Sequence, residues 1–77
     1  MIIVGSVREG RVGLPIAEWV RDSAQKTGAF DIDFVDLREL ALPFMDEPNH
    51  PRLQQYTKPH TLAWSKRVAA ADAFIFV

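Results

Sequence analysis

The sequence predicts an α/β fold in which three strands form a parallel sheet with the spatial order 2-1-3. Apolar segments suited to strands alternate with segments of helical spacing, and helices between strands imply parallel strands joined by right-handed crossovers. The first and third strand segments are entirely apolar, which is typical of strands covered on both faces. The second alternates apolar and acidic residues, which is typical of an edge strand. One helix is expected on each face of this sheet.

The first strand and the first helix follow from the N-terminal part of the chain. Ile2–Val4 is a short β-branched run, which favours a buried strand. Pro15 lies near the start of the next segment, where its missing N–H group costs little, and apolar residues then recur at helical spacing. Trp19 is expected to anchor this helix in the core. Lys26 in the last turn and Gly28 after it are typical of a helix end.

The second strand is predicted over residues 30–34, where aromatic and aliphatic residues alternate with acidic ones. We expect three nearby carboxylates to form its solvated face and its end: Asp31, Asp33 and Asp36.

Residues 38–60 are predicted to be irregular, because four prolines interrupt them. Loops of this length in compact domains are usually functional or mobile. We expect this loop to pack over the carboxyl end of the sheet through Leu42, Phe44 and Met45, with its charges pointing outward. Thr57 or Thr61 is then expected to cap a second helix, which presents Trp64 to the core.

The third strand is predicted over residues 73–77, which are apolar throughout. This pattern indicates a strand covered on both faces. In the order 2-1-3, however, it is the last strand and one of its edges is unpaired. We therefore expect the sheet to be incomplete and residues 1–77 to be the N-terminal part of a single larger domain.

Composition excludes several classes of function. The chain has no cysteine, so it has no disulfide framework, cysteine-based zinc site or thiol chemistry, and this fits a cytoplasmic protein. Its formal net charge of -1 does not favour nucleic acid or an anionic membrane as a partner. The sequence shows no signal peptide and no apolar run near the ~20 residues of a membrane-spanning helix.

The segment from residue 3 to residue 13 carries the strongest functional signal. A strand runs into a turn rich in glycine, serine and arginine, and a helix follows at once, which is the layout of a phosphate site. The turn is neither a P-loop nor a G-x-G-x-x-G loop. Its serine and two arginines suit a terminal phosphate better than a buried pyrophosphate. The alternative is an ordinary strand-to-helix turn with surface arginines, and Glu9 between them weakens the positive field.

No catalytic or metal-binding side chain is predicted. Ser6 lacks the G-x-S-x-G context of a nucleophile. His50 and His60 have no further ligands at metal-binding spacing. Asp46 and Glu47 are neighbours in an extended segment and point opposite ways, so they do not form an acid–base pair.

The motif G-S-x-R-x-G-R-x-G after an N-terminal strand resembles the NADPH-dependent FMN reductase family of flavodoxin-like proteins. Six further segments resemble one subgroup of that family in the same order: Asp46-Glu47-Pro48, His50-Pro51, Tyr56-Thr57, His60-Thr61, Trp64-Ser65 and residues 71–77. Lys58-Pro59 replaces a His-Glu pair of that subgroup. The loop that holds the flavin ring in the family would begin after Val77.

This resemblance implies an FMN-binding oxidoreductase with a flavodoxin-like fold. It implies hydride transfer from NADPH to FMN, a flavin, quinone or similar small molecule as electron acceptor, and a homodimer or higher homo-oligomer. The FMN phosphate would be held by residues of the motif: Ser6, Arg8, Gly10, Arg11, Val12 and Gly13.

Two other functions stay open at this point. A flavodoxin-type electron carrier has a Thr/Ser-rich phosphate loop without arginines and is usually strongly acidic, so Arg8, Arg11 and the small net charge oppose it. A truncated, cofactor-free interaction module is favoured by the missing flavin-ring loop if residues 1–77 are the whole product.

Overall fold

A computed structural model describes all residues from 1 to 77. The chain divides into two compact units, residues 1–41 with 72–77 and residues 42–71. The elements in chain order are β1 (Ile2–Val4), α1 (Gly13–Lys26), β2 (Phe34–Asp36), α2 (Leu37–Leu40), a short 3-10 turn (Pro51–Leu53), α3 (Pro59–Ala69) and β3 (Ile75–Phe76). No helix has the length and apolar character needed to cross a membrane.

The first unit contains a parallel three-stranded sheet with the order β2-β1-β3, which confirms the predicted order. Ile2 of β1 lies opposite Phe34 of β2 on one side and opposite Ile75 of β3 on the other. The first strand is therefore central. Its three residues are buried, together with Val35 of β2 and Ala17 of α1.

Helix α1 packs on β1 through Ala17, which clusters with Ile2 and Val4. The prediction that Trp19 anchors this helix in the core is wrong, because its side chain is 69% exposed. Trp19 follows Ala17 by two positions, or about 200° around the helix, and therefore faces away from the sheet. The apolar residues of this helix therefore lie on both its buried side and its exposed side.

Strand β2 begins at Phe34, so the prediction of a strand over residues 30–34 is displaced toward the N-terminus. The partner strand determines where pairing occurs. Because β1 has only three residues, its ladder with β2 runs from Ile2 opposite Phe34 to Val4 opposite Asp36. Phe30 lies outside this ladder and is exposed.

Strand β3 is an exposed edge strand, so the prediction that it is buried on both faces is wrong. The side chains of Ile75 and Phe76 are 46% and 76% exposed. The strand pairs only with β1, where the N–H groups of Ile75 and Val77 donate to the carbonyls of Met1 and Ile3 at 3.0 and 2.9 Å. Its expected position as the last strand of the sheet is confirmed.

The second unit contains an irregular segment followed by α3. The prediction of an irregular segment over residues 38–60 is confirmed up to residue 58, where only the end of α2 and the 3-10 turn interrupt the loop, and is wrong for its last two residues, because α3 begins at Pro59. The expected caps of α3 are wrong, since Lys58 occupies the N-cap position instead of Thr57 or Thr61. Pro59 at the first helical position fixes this start, because its φ angle is already helical and it has no N–H group to satisfy.

Candidate functional site

The loop from residue 5 to residue 12 leaves the carboxyl end of β1 and leads into α1. The N–H of Gly5 donates to the carbonyl of Val77 at 2.9 Å. The loop therefore begins beside the end of β3, between the first and third strands, where chain order reverses. Ligands of open α/β sheets bind at such a position.

The N-terminus of α1 has no cap. Val12 occupies the N-cap position without a side-chain hydrogen bond, and the first turn contains no acidic residue. The N–H groups of Gly13 and Leu14 donate to no protein acceptor. This end of the helix therefore presents free donors and the positive end of the helix dipole.

Ser6 lies beside this helix start. A Cβ atom built on Gly13 would lie 3.6 Å from the Cβ of Ser6, which is ordinary contact, so Gly13 is not required by packing. Gly10 differs, because its φ of 69° lies in the left-handed region that favours glycine. A backbone conformation that favours glycine therefore accounts for Gly10 and does not account for Gly13.

Arg11 and Asp36 form a bidentate ion pair. Nη1 of Arg11 lies 2.6 Å from Oδ1 of Asp36, and Nη2 lies 2.7 Å from Oδ2. Nη1 also donates to the carbonyl of Ser6 at 2.8 Å. The two side chains are only 8% and 9% exposed, so this pair ties the loop after β1 to the end of β2.

The pair shifts the ionisation of both groups. The hydrogen bond to Asp36 raises the pKa of Arg11 above its ordinary value, against the opposing effect of burial. The hydrogen bond from Arg11 lowers the pKa of the Asp36 carboxyl, again against burial, and the N–H of Arg38 adds to this lowering. Both groups are therefore held in their charged forms.

The prediction that Asp36 is a solvated residue at the end of a strand is wrong. Its carboxylate binds Arg11 and also accepts the N–H of Arg38 at 3.0 Å, which caps α2. The sequence carried a partial signal, because Asp36 follows the predicted second strand and an arginine-rich loop follows the first. The carboxyl ends of parallel neighbouring strands lie close together. The pairing itself spans 25 residues and cannot be read from local spacing.

Arg8 is the arginine of this loop that stays free. Its side chain is exposed and makes no hydrogen bond or ion pair with another residue. Glu9 beside it accepts from Nη2 of Arg38 at 2.7 Å, in an exposed pair. Val12 is exposed as well. Of the predicted phosphate ligands, the structure brings together Ser6, Arg11 and Gly13, while Arg8 projects from the same loop.

The second unit has a small apolar cleft of about 190 Å³. Its walls come from the loop after α2 and the first turns of α3: Leu42, Pro43, Phe44, Met45, Asp46, His60, Thr61 and Trp64. The packing predicted for Phe44 is wrong, because its side chain is 99% exposed. Leu42 and Met45 are exposed as well.

The adjacent carboxylates Asp46 and Glu47 have separate partners, as expected of neighbours in an extended segment. Oδ1 of Asp46 lies 3.0 Å from Nε2 of His60, whereas Glu47 accepts the N–H of Thr57.

The other histidine of this unit makes a local contact. His50 accepts the N–H of Arg52 at its Nδ1 atom, 3.0 Å away. No group of three or more His, Asp or Glu side chains is arranged to hold a metal ion.

Glu47 holds the start of α3. Its carboxylate accepts the N–H groups of Thr57 and Lys58, each at 2.8 Å, and the Thr57 hydroxyl at 3.1 Å. Burial acts to raise the pKa of Glu47, but these hydrogen bonds outweigh it, so the pKa lies below its ordinary value. The charged carboxylate serves as the cap that Lys58 does not provide.

Replacing Glu47 with Gln is therefore expected to loosen the start of α3 at neutral pH. Because the folded-state pKa is depressed, the stabilisation is present above the ordinary value of 4.5 and is lost as pH falls through the folded-state pKa. We expect amide exchange at Thr57 and Lys58 to accelerate about tenfold at pH 7, and the difference between the two proteins to vanish in acid. Glu9→Gln, which removes an exposed carboxylate, is the control. A difference that persists in acid would contradict this assignment.

Comparison with known proteins shows what this fold and loop resemble. The family described as NADPH-dependent FMN reductase matches residues 1–77. An NAD(P)H-dependent FMN reductase of Schizosaccharomyces pombe is 40% identical over 79 residues, covering 100% of this chain and 40% of the relative. A protein of the same description from Nectria sp. is 35% identical over 82 residues, covering 99% and 41%.

A third relative, an NAD(P)H-dependent FMN reductase of Saccharomyces cerevisiae, is 31% identical over 87 residues, covering 99% of this chain and 46% of the relative. The chain thus spans less than half the length of these curated relatives. The parallel sheet with the order 2-1-3 agrees with the flavodoxin-like fold of the matched family. With its whole length matched, the chain belongs to the NADPH-dependent FMN reductase family.

Proposed function

We propose that this chain supplies the phosphate-binding part of an NADPH-dependent FMN reductase. The observation that carries the proposal is the loop of residues 5–12, which joins an uncapped helix start to the switch point of a parallel sheet. Family membership supports the same function. The curated relatives are named as NAD(P)H-dependent FMN reductases.

The donors of the loop fit a phosphate monoester. The N–H groups at the start of α1 are free, Ser6 lies beside Gly13 at that start, and the exposed guanidinium of Arg8 has no protein partner. Together these groups offer several hydrogen bonds and a full positive charge to phosphate oxygens. The proposed FMN-binding residues are Ser6, Arg8, Gly10, Arg11, Val12 and Gly13.

Bound FMN would supply the redox chemistry, accepting hydride from NADPH and passing electrons to a flavin, quinone or similar small acceptor. The chain's own residues would bind and orient the phosphate, and no side chain described above needs to act as an acid or base. We further propose that the protein works as a homodimer or higher homo-oligomer in the cytoplasm.

A second candidate for residues 1–77 in isolation is an interaction module without cofactor. The exposed apolar edge of β3 favours it, because such an edge is a template for pairing with another strand. The two functions differ in whether flavin is bound.

The natural protein, expressed from its complete reading frame, tests the proposal. We expect FMN absorbance to accompany the purified protein and NADPH to be oxidised when a quinone or free flavin is added. Apoprotein without added FMN is the control and should not oxidise NADPH. Failure to bind FMN, or FMN-loaded protein that leaves NADPH and NADH unoxidised, would contradict it.

A further inference from the structure

The ion pair between Arg11 and Asp36 connects the loop after β1, which forms the proposed phosphate site, to the end of β2. We infer that Asp36 is a positioning residue that sets the phosphate loop through Arg11. This inference rests on the proposed function. It concerns a carboxylate that carries a negative charge and would not itself contact phosphate.

The hydrogen bonds show how the positioning works. The Nη1 atom of Arg11 carries two hydrogens, and they go to Oδ1 of Asp36 and to the carbonyl of Ser6. The guanidinium therefore joins the end of β2 directly to the backbone of the residue that bears the proposed phosphate-binding hydroxyl. Since Nη2 also binds Asp36 at 2.7 Å, the fork cannot rotate without breaking two charged hydrogen bonds.

Low exposure shields this connection from water. Both side chains are more than nine-tenths buried, so water does not readily replace either partner. Asp36 is itself fixed by its bond from the N–H of Arg38 at the start of α2. The loop is thus held at Gly5 by Val77, which follows β3, and at Ser6 by the end of β2 through Arg11. A site held in advance loses less conformational freedom when a ligand binds.

The pair also decides which charges reach the ligand. Asp36 offsets the charge of Arg11, so the net positive charge at the loop comes from Arg8 and the start of α1. Two opposite results are therefore possible when the Asp36 charge is removed. If Asp36 positions the loop, loss of its charge lowers FMN affinity. If Asp36 only competes with phosphate for Arg11, loss of its charge releases that arginine and raises FMN affinity.

Asp36→Asn in the natural protein separates these results. Asparagine has the same shape and still accepts the N–H of Arg38 as a helix cap, so the change acts mainly on Arg11. Asp22→Asn is the matched control, because it removes one exposed carboxylate of α1 outside the phosphate loop and changes the net charge equally. Dissociation constants for FMN and for riboflavin, which lacks the phosphate, are measured for each protein.

We expect Asp36→Asn to weaken FMN at least about tenfold while riboflavin changes by less than about twofold, and Asp22→Asn to change neither beyond twofold. In the flavin-free protein, amide exchange over residues 5–12 should accelerate in Asp36→Asn and not in Asp22→Asn. Unchanged or tighter FMN binding, or equal losses for both flavins, would overturn the inference.

Arg11→Lys provides a second variant if Asp36→Asn does not fold. It keeps the charge and loses the bidentate fork, so we expect a selective loss of FMN together with faster amide exchange over residues 5–12 of the flavin-free protein. Unchanged FMN affinity, or a loss of FMN without faster exchange, would overturn the inference. Wild-type protein that binds FMN no better than riboflavin would instead contradict the proposed phosphate site.

Discussion

Replacing Arg8 with alanine in the natural protein is expected to weaken FMN binding about ten- to a hundredfold and to change riboflavin binding by less than about twofold. Arg8 is exposed and has no protein partner, so its loss should not disturb the fold. The guanidinium would form charged hydrogen bonds to the phosphate, and riboflavin has no phosphate. Fluorescence titration with both flavins measures the difference.

Lys26→Ala is the control for the change in net charge. Lys26 ends α1, about 20 Å from the phosphate loop by the rise of a 14-residue helix, and its removal should leave both affinities unchanged. Arg8→Lys should restore part of the loss, because lysine keeps the charge without the planar fork. If Arg8→Ala weakened FMN and riboflavin equally, Arg8 would have no role at the phosphate.

The order of the sheet could be predicted from the sequence because it depends on patterns that each strand carries. Two apolar runs and one alternating run were enough to place β1 in the centre and β2 at an edge. The extent of β2 could not be predicted in this way. Strand limits depend on the partner, and the three residues of β1 restrict pairing to Phe34–Asp36.

Helical spacing alone could not place Trp19. It predicts that an apolar face exists and does not decide which of several apolar residues meets the sheet. Ala17 lies against β1 because a small residue permits close approach of helix and strand, and this choice directs Trp19 outward. Exposure of this kind follows from tertiary packing, which no local window of sequence contains.

The position of the candidate site was predictable, while its internal connections were not. A glycine- and arginine-rich turn between strand and helix indicates where an anion would bind. The role of Arg11 depends on Asp36, which lies 25 residues away and reaches the loop only because β1 and β2 are parallel neighbours. The two arginines of the loop therefore have different environments, because Arg11 is paired with Asp36 and Arg8 has no protein partner.

Residues 1–77 expressed alone are expected to self-associate and to bind no FMN tightly. Their core has only five buried apolar residues. A chain of this size is marginally stable without a disulfide, a structural metal or association with another chain. Phe76 lies between two residues whose N–H groups donate to β1, so its own N–H points to the unpaired edge. Its side chain is also exposed, so β3 can add a strand from another copy.

A charged residue introduced into β3 shows whether residues 1–77 associate through the edge of this strand or through nonspecific aggregation. Phe76→Lys should shift residues 1–77 toward the monomer in size-exclusion chromatography, because a lysine at an edge strand disfavours pairing. Phe44→Lys is the matched control, since Phe44 is even more exposed but lies in the other unit, and it should leave the association unchanged. Flavin absorbance should be missing from all three proteins, because the phosphate loop alone offers no cradle for the ring. A sharp monomer peak, cooperative melting and a yellow colour for unmodified residues 1–77 would together contradict this prediction.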